Sequence, residues 1–241
     1  VSYAGGLVGS ATLLDIADSF ATGDITVEDG NQAARGVSGA AGGLVGGVTG
    51  GNNLTSALRI QDSYSTGVID FSAVSPLVDT VGGPIVGGSV GMIVGWSKIE
   101  GVYATGLVTA SINQACQIDE CDSVIAMAGG LIGANIAVSQ TASASVLRDS
   151  YATGMVIIEG RDGGALSGGA IGSLQGYNHT IEDVYATGSV GPSDNFIDSA
   201  SSGFRAGGLI GDIRTARPAV INRPSATGTA SGTGYAINGA G

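Results

Sequence analysis

Two short motifs alternate along the chain, and their alternation constrains the fold more than any other feature. The first is Gly-Gly-Leu-Val-Gly and its variants, read at Gly5–Gly9, Gly42–Gly46, Gly91–Gly95, Gly129–Gly133, Gly168–Gly172 and Gly207–Gly211. Their starts lie 37, 49, 38, 39 and 39 residues apart. The second is Tyr-Ala-Thr-Gly, at Phe20–Gly23, Tyr64–Gly67, Tyr103–Gly106, Tyr151–Gly154, Tyr185–Gly188 and, degenerate, Ser225–Gly228. An apolar residue stands four before each aromatic position (Ile16, Ile60, Ile99, Leu147, Ile181, Ile221). Another stands two after each closing Gly (Ile25, Ile69, Val108, Val156, Val190, Ala230). A fixed period of this length marks a repeat architecture.

Helices do not suit the pattern. The chain holds 44 Gly in 241 residues, about 18% against a usual level of about 7%, and each Gly costs a helix about 1 kcal/mol. No stretch sustains a 3.6-residue apolar period, and short apolar runs bounded by Gly, Asp, Asn and Ser read as strands and turns. Strands recurring in one direction at a fixed interval point to an all-β, right-handed parallel β-solenoid with rungs about 4.8 Å apart. A three-strand coil needs roughly 20 to 25 residues. The expectation is therefore two coils per ~39-residue repeat, one carrying each motif. Six repeats would give about 11 to 12 coils and a rod of about 55 Å. A single wide coil with long loops is the competing geometry. The whole chain, 1–241, reads as one solenoid domain with repeat units starting near Gly5, Gly42, Gly91, Gly129, Gly168 and Gly207.

Strand alternation assigns the faces of Tyr-Ala-Thr-Gly-x-Val. Ala, Gly and Val share one side, and Tyr, Thr and the variable x share the other. The constant small-small-branched set suits a narrow interior. Thr22, Thr66, Thr105, Thr153, Thr187 and Thr227 then form an outward ladder. The opposite parity would stack the Tyr residues inside.

Composition excludes several classes. Pro numbers five and Gly shows no every-third-residue period, which removes collagen. A mean hydropathy of +0.33 argues against disorder. The net charge is −11, a sign that repels phosphate backbones, so no nucleic-acid partner is expected. Stretches 36–58, 80–97 and 123–147 carry no charge, a length that would flag membrane spans. Their Asn, Gln, Ser and paired Gly argue instead for solenoid strands, and no membrane insertion is expected.

Cys116 and Cys121, in Cys-Gln-Ile-Asp-Glu-Cys, read as a disulfide pinching a loop, which implies an oxidising compartment. A metal or redox pair is disfavoured because the spacing is not CxxC and His179 is the one histidine. Sequons occur at Asn53 and Asn178, at matching offsets in their repeats, and mark an exposed loop and candidate N-glycosylation sites.

An Asp stands two before the aromatic at Asp18, Asp62, Asp149 and Asp183, with Gly101 and Arg223 breaking the column. A calcium ladder or glycan-cleaving carboxylates would use such a column. Repetition favours turn closure instead, since catalysis needs one distinctive constellation. Carboxylate pairs such as Asp15/Asp18 and Asp119/Asp122 fall in turns or in the cysteine loop. No HExxH or P-loop pattern is present. No catalytic residue, metal ligand or cofactor is assigned, with Ca2+ kept as the one ion to consider.

The motifs Gly-Gly-Leu-Ile-Gly and Asp-Ser-Tyr-Ala-Thr-Gly-x-Val resemble the GLUG-motif repeats of large bacterial surface proteins, among them filamentous-haemagglutinin-like adhesins and the stalks of immunoglobulin-A-cleaving peptidases. The resemblance runs from Gly5 to Gly228. It departs at an insertion around 71–90 with a second glycine cluster, at the cysteine loop, and at the eroded Ser225 copy. It implies a secreted or cell-surface, non-catalytic structural or adhesive segment whose partner is a cell-surface or matrix ligand such as a glycan. An ice-binding protein using the Thr ladder is the first alternative, and a glycan-binding or glycan-cleaving β-helix the second. Val1 opens within a coil, which suggests a longer chain or end-to-end self-association.

Overall fold

The computed structural model describes residues 2–29, 39–49, 58–75, 83–114, 125–138, 145–161, 164–194, 196 and 203–232. Regular structure among these residues is β, and the strand pairings are parallel. One stretch shows the plan. Ile125–Gly129 belongs to a first sheet, the chain turns at Gly130 and Leu131, and Ile132–Ala137 returns in a second sheet. Ser145–Ala152 lies in a third sheet, and after a bend at 153–155 Val156–Arg161 lies in a fourth. The first five repeats add to every sheet in this order and the last adds a strand to the first three, so the first and second sheets have six strands and the fourth has five. The third has ten, because in several repeats its strand is cut in two, as at Leu14–Ala17 and Phe20–Ala21.

These stacked parallel coils are of the β-solenoid kind, but a repeat is one coil and not two. Strands bearing the same motif pair directly with each other: Gly5 with Gly42, and Tyr103 with both Tyr64 and Tyr151. Both motifs fit one turn because they form two nested bends instead of successive rungs. Six coils then rise about 29 Å, half the length expected from two coils per repeat.

The register also moves one repeat boundary. Gly42 pairs with Gly87, and Gly87 with Gly129. The third copy of the first motif is therefore Gly87-Gly88-Ser89-Val90-Gly91, and the Gly91–Gly95 reading is displaced by one bend. Gly91 is the closing Gly of the motif, the counterpart of Gly46, since Val90 pairs with Val45 and Met92 with Gly47. The glycine cluster that resembled an insertion is the motif itself.

Packing explains the small residues. The first and second sheets face each other through Ala40, Ile85, Met92 and Ala134. The other side of the first sheet packs on the fourth through Ala41, Val86, Ala128, Ile69, Phe71 and Val108. The other side of the second packs on the third through Val45, Val48, Leu58, Ile60 and Ile99. The layer order is fourth, first, second, third: an inner bend nested inside an outer one. Inner strands such as Gly39–Gly42 and Pro84–Gly87 are buried at every residue. That burial on both faces is why the uncharged stretches show no polar alternation.

At the closed end of the inner bend the backbones touch. A Cβ on Gly42 would stand 2.3 Å from the Val45 carbonyl oxygen, and one on Gly46 would stand 2.6 Å from that of Ala4. The tip of the inner bend reaches the vertex of the outer one. A Cβ on Gly43 would come within 2.5 Å of the Ser65 Cβ, one on Gly88 within 2.8 Å of the Ala104 Cβ, and one on Gly130 within 2.6 Å of the Ala152 Cβ. The second Gly of the first motif and the Ala of the second are thus one contact, repeated coil after coil.

Candidate functional site

The vertex of the outer bend presents the most regular surface of the molecule. Alternation buries Ala21, Ala104, Ala152 and Ala186 and turns the preceding aromatic and the following Thr outward. Phe20, Tyr64, Tyr103, Tyr151 and Tyr185 stack as a column with centroids 5.3, 4.7, 4.9 and 4.8 Å apart and ring planes within 10° of parallel. Crowding in this column raises the Tyr103 phenol above its ordinary pKa, through desolvation first and then its neighbours Tyr64 and Tyr151. Thr22, Thr66, Thr105, Thr153, Thr187 and Thr227 form a second column beside it, and all six are exposed. The x column alongside holds Asp24, Val68, Leu107, Met155, Ser189 and Thr229, so its chemistry changes from coil to coil.

Stacking limits what the aromatic column can bind. A sugar ring packs on an open aromatic face, and here each inner ring has both faces covered by its neighbours. Open faces remain at the ends, at Phe20 (57% exposed) and Tyr185 (41%). The middle of the column offers ring edges and phenol oxygens.

The Asp column occupies a left-handed turn. Asp18, Asp62, Asp149, Asp183 and Arg223 have φ between 47° and 51°, and Gly101 has 64°. Asp and Gly tolerate this region better than most residues, which accounts for their recurrence there. The next residue ties the turn across coils: the Ser63 hydroxyl donates to the Gln61 carbonyl (2.7 Å) and accepts from the Ser19 N–H (3.1 Å). Ser150 does the same with the Arg148 carbonyl and the Val102 N–H. Arg223, which breaks the Asp column, donates through Nε to Asp183 (2.7 Å) and through Nη2 to Glu182 (2.9 Å). Its guanidinium holds Asp183 below the usual carboxylate range.

Other polar groups are placed singly. Glu100 accepts from Arg148 Nη2 at 2.6 Å, and that bond lowers its pKa. Asp70, on the outer face of the fourth sheet, is raised by desolvation and then by Glu159 and Glu28. His179 is buried, and its Nε2–H donates to the Gln175 carbonyl at 2.9 Å. Burial lowers its pKa, so the ring is neutral. Between the second and third sheets, Asn135 Nδ2 donates to Ser97 Oγ (3.1 Å), and the Ser97 N–H donates to Ser145 Oγ (3.2 Å). Among the described residues no three His, Cys, Asp or Glu side chains gather as a metal site. No helix among them is long and apolar enough to cross a membrane.

Asn178 takes φ 50° in the turn before His179–Ala186, where its carbonyl accepts the Ser145 N–H. Asn53, Cys116, Cys121, Asp119 and Asp122 lie outside the described residues. The pair that sequence reasoning missed is Ser65 and Ser89. Each replaces an apolar or small residue of its motif, Ser65 the Ala and Ser89 the Leu, and the two hydroxyls meet at 3.2 Å. Ser65 also donates to the Gly88 carbonyl at 2.6 Å. Two departures from consensus half a repeat apart were the available signal.

Residues 1–26 match the family model of the GLUG motif. That stretch spans the inner bend and the vertex of the outer one, from Ser2–Gly5 to the start of Ile25–Asp29. The second coil pairs with it strand for strand, and each later coil stacks on the one before it. No curated protein and no solved structure matches the chain.

Proposed function

We propose that the chain is a non-catalytic structural or adhesive segment of a secreted or cell-surface protein, a stack of right-handed coils that displays its connecting segments to a surface or matrix ligand such as a glycan. The observation that carries this reading is the repetition of the outward columns. Coil after coil sets the same Tyr and Thr at the same place, which suits a scaffold better than a single reaction centre. Variation collects instead in the segments that join the sheets, where Asn53 and the Cys116–Cys121 loop lie. Parallel crossovers are right-handed in nearly all known cases, which supports the hand. The test is bead adhesion under flow on cell layers and glycan-coated surfaces. Chain-coated beads are retained, and replacing 50–57 and 115–124 with Gly-Ser segments of equal length abolishes retention. Retention unchanged by both replacements, or none by the parent chain on any surface, rejects the displayed-loop reading.

The Thr column supports a second reading, ice binding, because six exposed Thr recur at the coil spacing of about 4.8 Å. Leu107 and Met155 in the neighbouring column interrupt a uniform hydroxyl array. Thermal hysteresis at millimolar protein tests it, and a flat freezing curve removes it.

A further inference from the structure

Tyr64, Tyr103, Tyr151 and Tyr185 bring four phenols into one column, with centroids 4.7, 4.9 and 4.8 Å apart and ring planes within 6° of parallel. Each hangs from a strand position paired directly with the next: Tyr64 with Tyr103, Tyr103 with Tyr151, and Tyr151 with Tyr185. Matching ring atoms therefore repeat at the spacing of the centroids. The ladder holds these neighbours together although they lie 34 to 48 residues apart in the chain. The rings stand on the outward side of the vertex, and Tyr185 is 41% exposed. Water is at hand to take a proton there, and a ring can tilt about its χ2 bond.

We propose that this column is a site of oxidative modification, where a one-electron oxidant such as a peroxidase intermediate couples neighbouring tyrosines into dityrosine and staples one coil to the next. Two adjacent phenols each give one electron to the oxidant and the O–H proton to water. The two phenoxyl radicals join through the ring carbons ortho to oxygen, which forms one C–C bond. Each joined carbon then loses its hydrogen as a proton and each oxygen takes one back, so both phenols are restored. The pair has lost two electrons to the oxidant and two protons to water. A radical formed on any of the four has a second phenol in contact, and no movement of the chain is needed to bring the partners together. The bond closes when the two rings turn edge to edge, a rotation of side chains alone. Phe20 stacks on Tyr64 but has no hydroxyl, so the site comprises the four tyrosines. Tyr3, which has Ala40 beside it in its ladder, supplies the contrast. This inference does not rest on the adhesive reading.

Illumination of the chain with ruthenium tris-bipyridyl and persulfate at low protein concentration tests it. Dityrosine fluorescence appears while the protein still migrates as a single chain on a denaturing gel. Peptide mass spectrometry finds column pairs joined with the loss of two hydrogens per link. Two variants with equal numbers of tyrosines isolate adjacency. Tyr103→Phe/Tyr185→Phe keeps the rings stacked but leaves Tyr64 and Tyr151 two coils apart, and the signal is lost. Tyr64→Phe/Tyr185→Phe keeps Tyr103 against Tyr151, and the signal remains. Phe20 shows that the column accepts phenylalanine, so both variants are expected to fold, and circular dichroism verifies this. The linked parent chain melts about 5 °C or more above the unlinked one, because the link closes a long segment of the unfolded chain. Absence of dityrosine overturns the proposal. So do links that form only between chains, links at Tyr3 or Tyr177 in place of the column pairs, equal yields from the two variants, or an unchanged midpoint.

Discussion

Gly130→Ala tests the nested-bend packing directly. Gly130 is not in the left-handed region, so alanine can adopt its backbone conformation, and the cost must come from space. A Cβ there would stand 2.1 Å from the Gly169 carbonyl oxygen of the next coil and 2.6 Å from the Ala152 Cβ. Ordinary contact with the oxygen requires a shift of about 1 Å or more in backbone that is held in the ladder on both sides. Overpacking costs about 1–3 kcal/mol where side chains can yield; with backbone as the obstacle we expect the upper end, about 3 kcal/mol. A gain of about 0.4–1 kcal/mol from the stiffer unfolded chain offsets part of this. At about 2–4 °C per kcal/mol for a chain of this size, the midpoint falls by about 4–10 °C. Gly208 is the same motif position in the last coil, where only the Ala226 Cβ approaches, at 3.0 Å. Gly208→Ala is expected to shift the midpoint by about 2 °C or less. Calorimetric melting of both variants decides the matter, with Gly130→Ala/Ala152→Gly as the third arm. Equal losses at 130 and 208 would refute the argument from the next coil's carbonyl. Rescue by Ala152→Gly would show that the side-chain contact, and not the carbonyl, sets the cost.

Ser65→Ala strands the buried Ser89 hydroxyl and is expected to cost about 1–3 kcal/mol, while Ser65→Ala/Ser89→Ala recovers most of it because Gly88 O keeps the Gly43 N–H; denaturant melts read both. Tyr151→Ala opens the stack between Tyr103 and Tyr185 and loses two ring contacts, about 1–3 kcal/mol, whereas Tyr151→Phe keeps both and stays near the parent. For His179 the folded pKa lies below the unfolded value of about 6.5, so the unfolded chain takes up the proton first and stability falls as pH drops below about 6.5. A pH series of melts should show that slope, and His179→Gln should remove it; an unchanged slope would place the titration elsewhere.

The sequence disclosed the strands, their parallel stacking and the outward parity of Tyr and Thr because each is a local, periodic property. What it concealed was long-range. Whether 39 residues make one coil or two depends on the Gly43–Ser65 and Gly130–Ala152 contacts, which join motifs 22 residues apart in the chain, and a period alone carries no information about them. The misread third motif has the same origin. Ser89 stands where Leu44 and Leu131 stand, which makes Gly-Met-Ile-Val-Gly the nearer match to the consensus, and only the facing Ser65 explains why a hydroxyl is tolerated inside that bend. The ladder registers were within reach, but the partner of each departure sat in the other motif.

Nesting also changes what a substitution in one motif means. A tip Gly in the inner bend and the vertex Ala around it fill a single space, and the carbonyl of the next coil closes that space from the side. A larger vertex residue therefore needs a compensating change in the inner bend of the coil stacked on it, as Ser65 has in Ser89. Coupling should run across the two motifs of neighbouring coils more strongly than along either column. A double-mutant cycle between Ser65 and Ser89 should then give about 1 kcal/mol, and one between Ser65 and Ala104 close to zero. The reverse order would mean that the columns, and not the nested bends, are the units that hold the coils together.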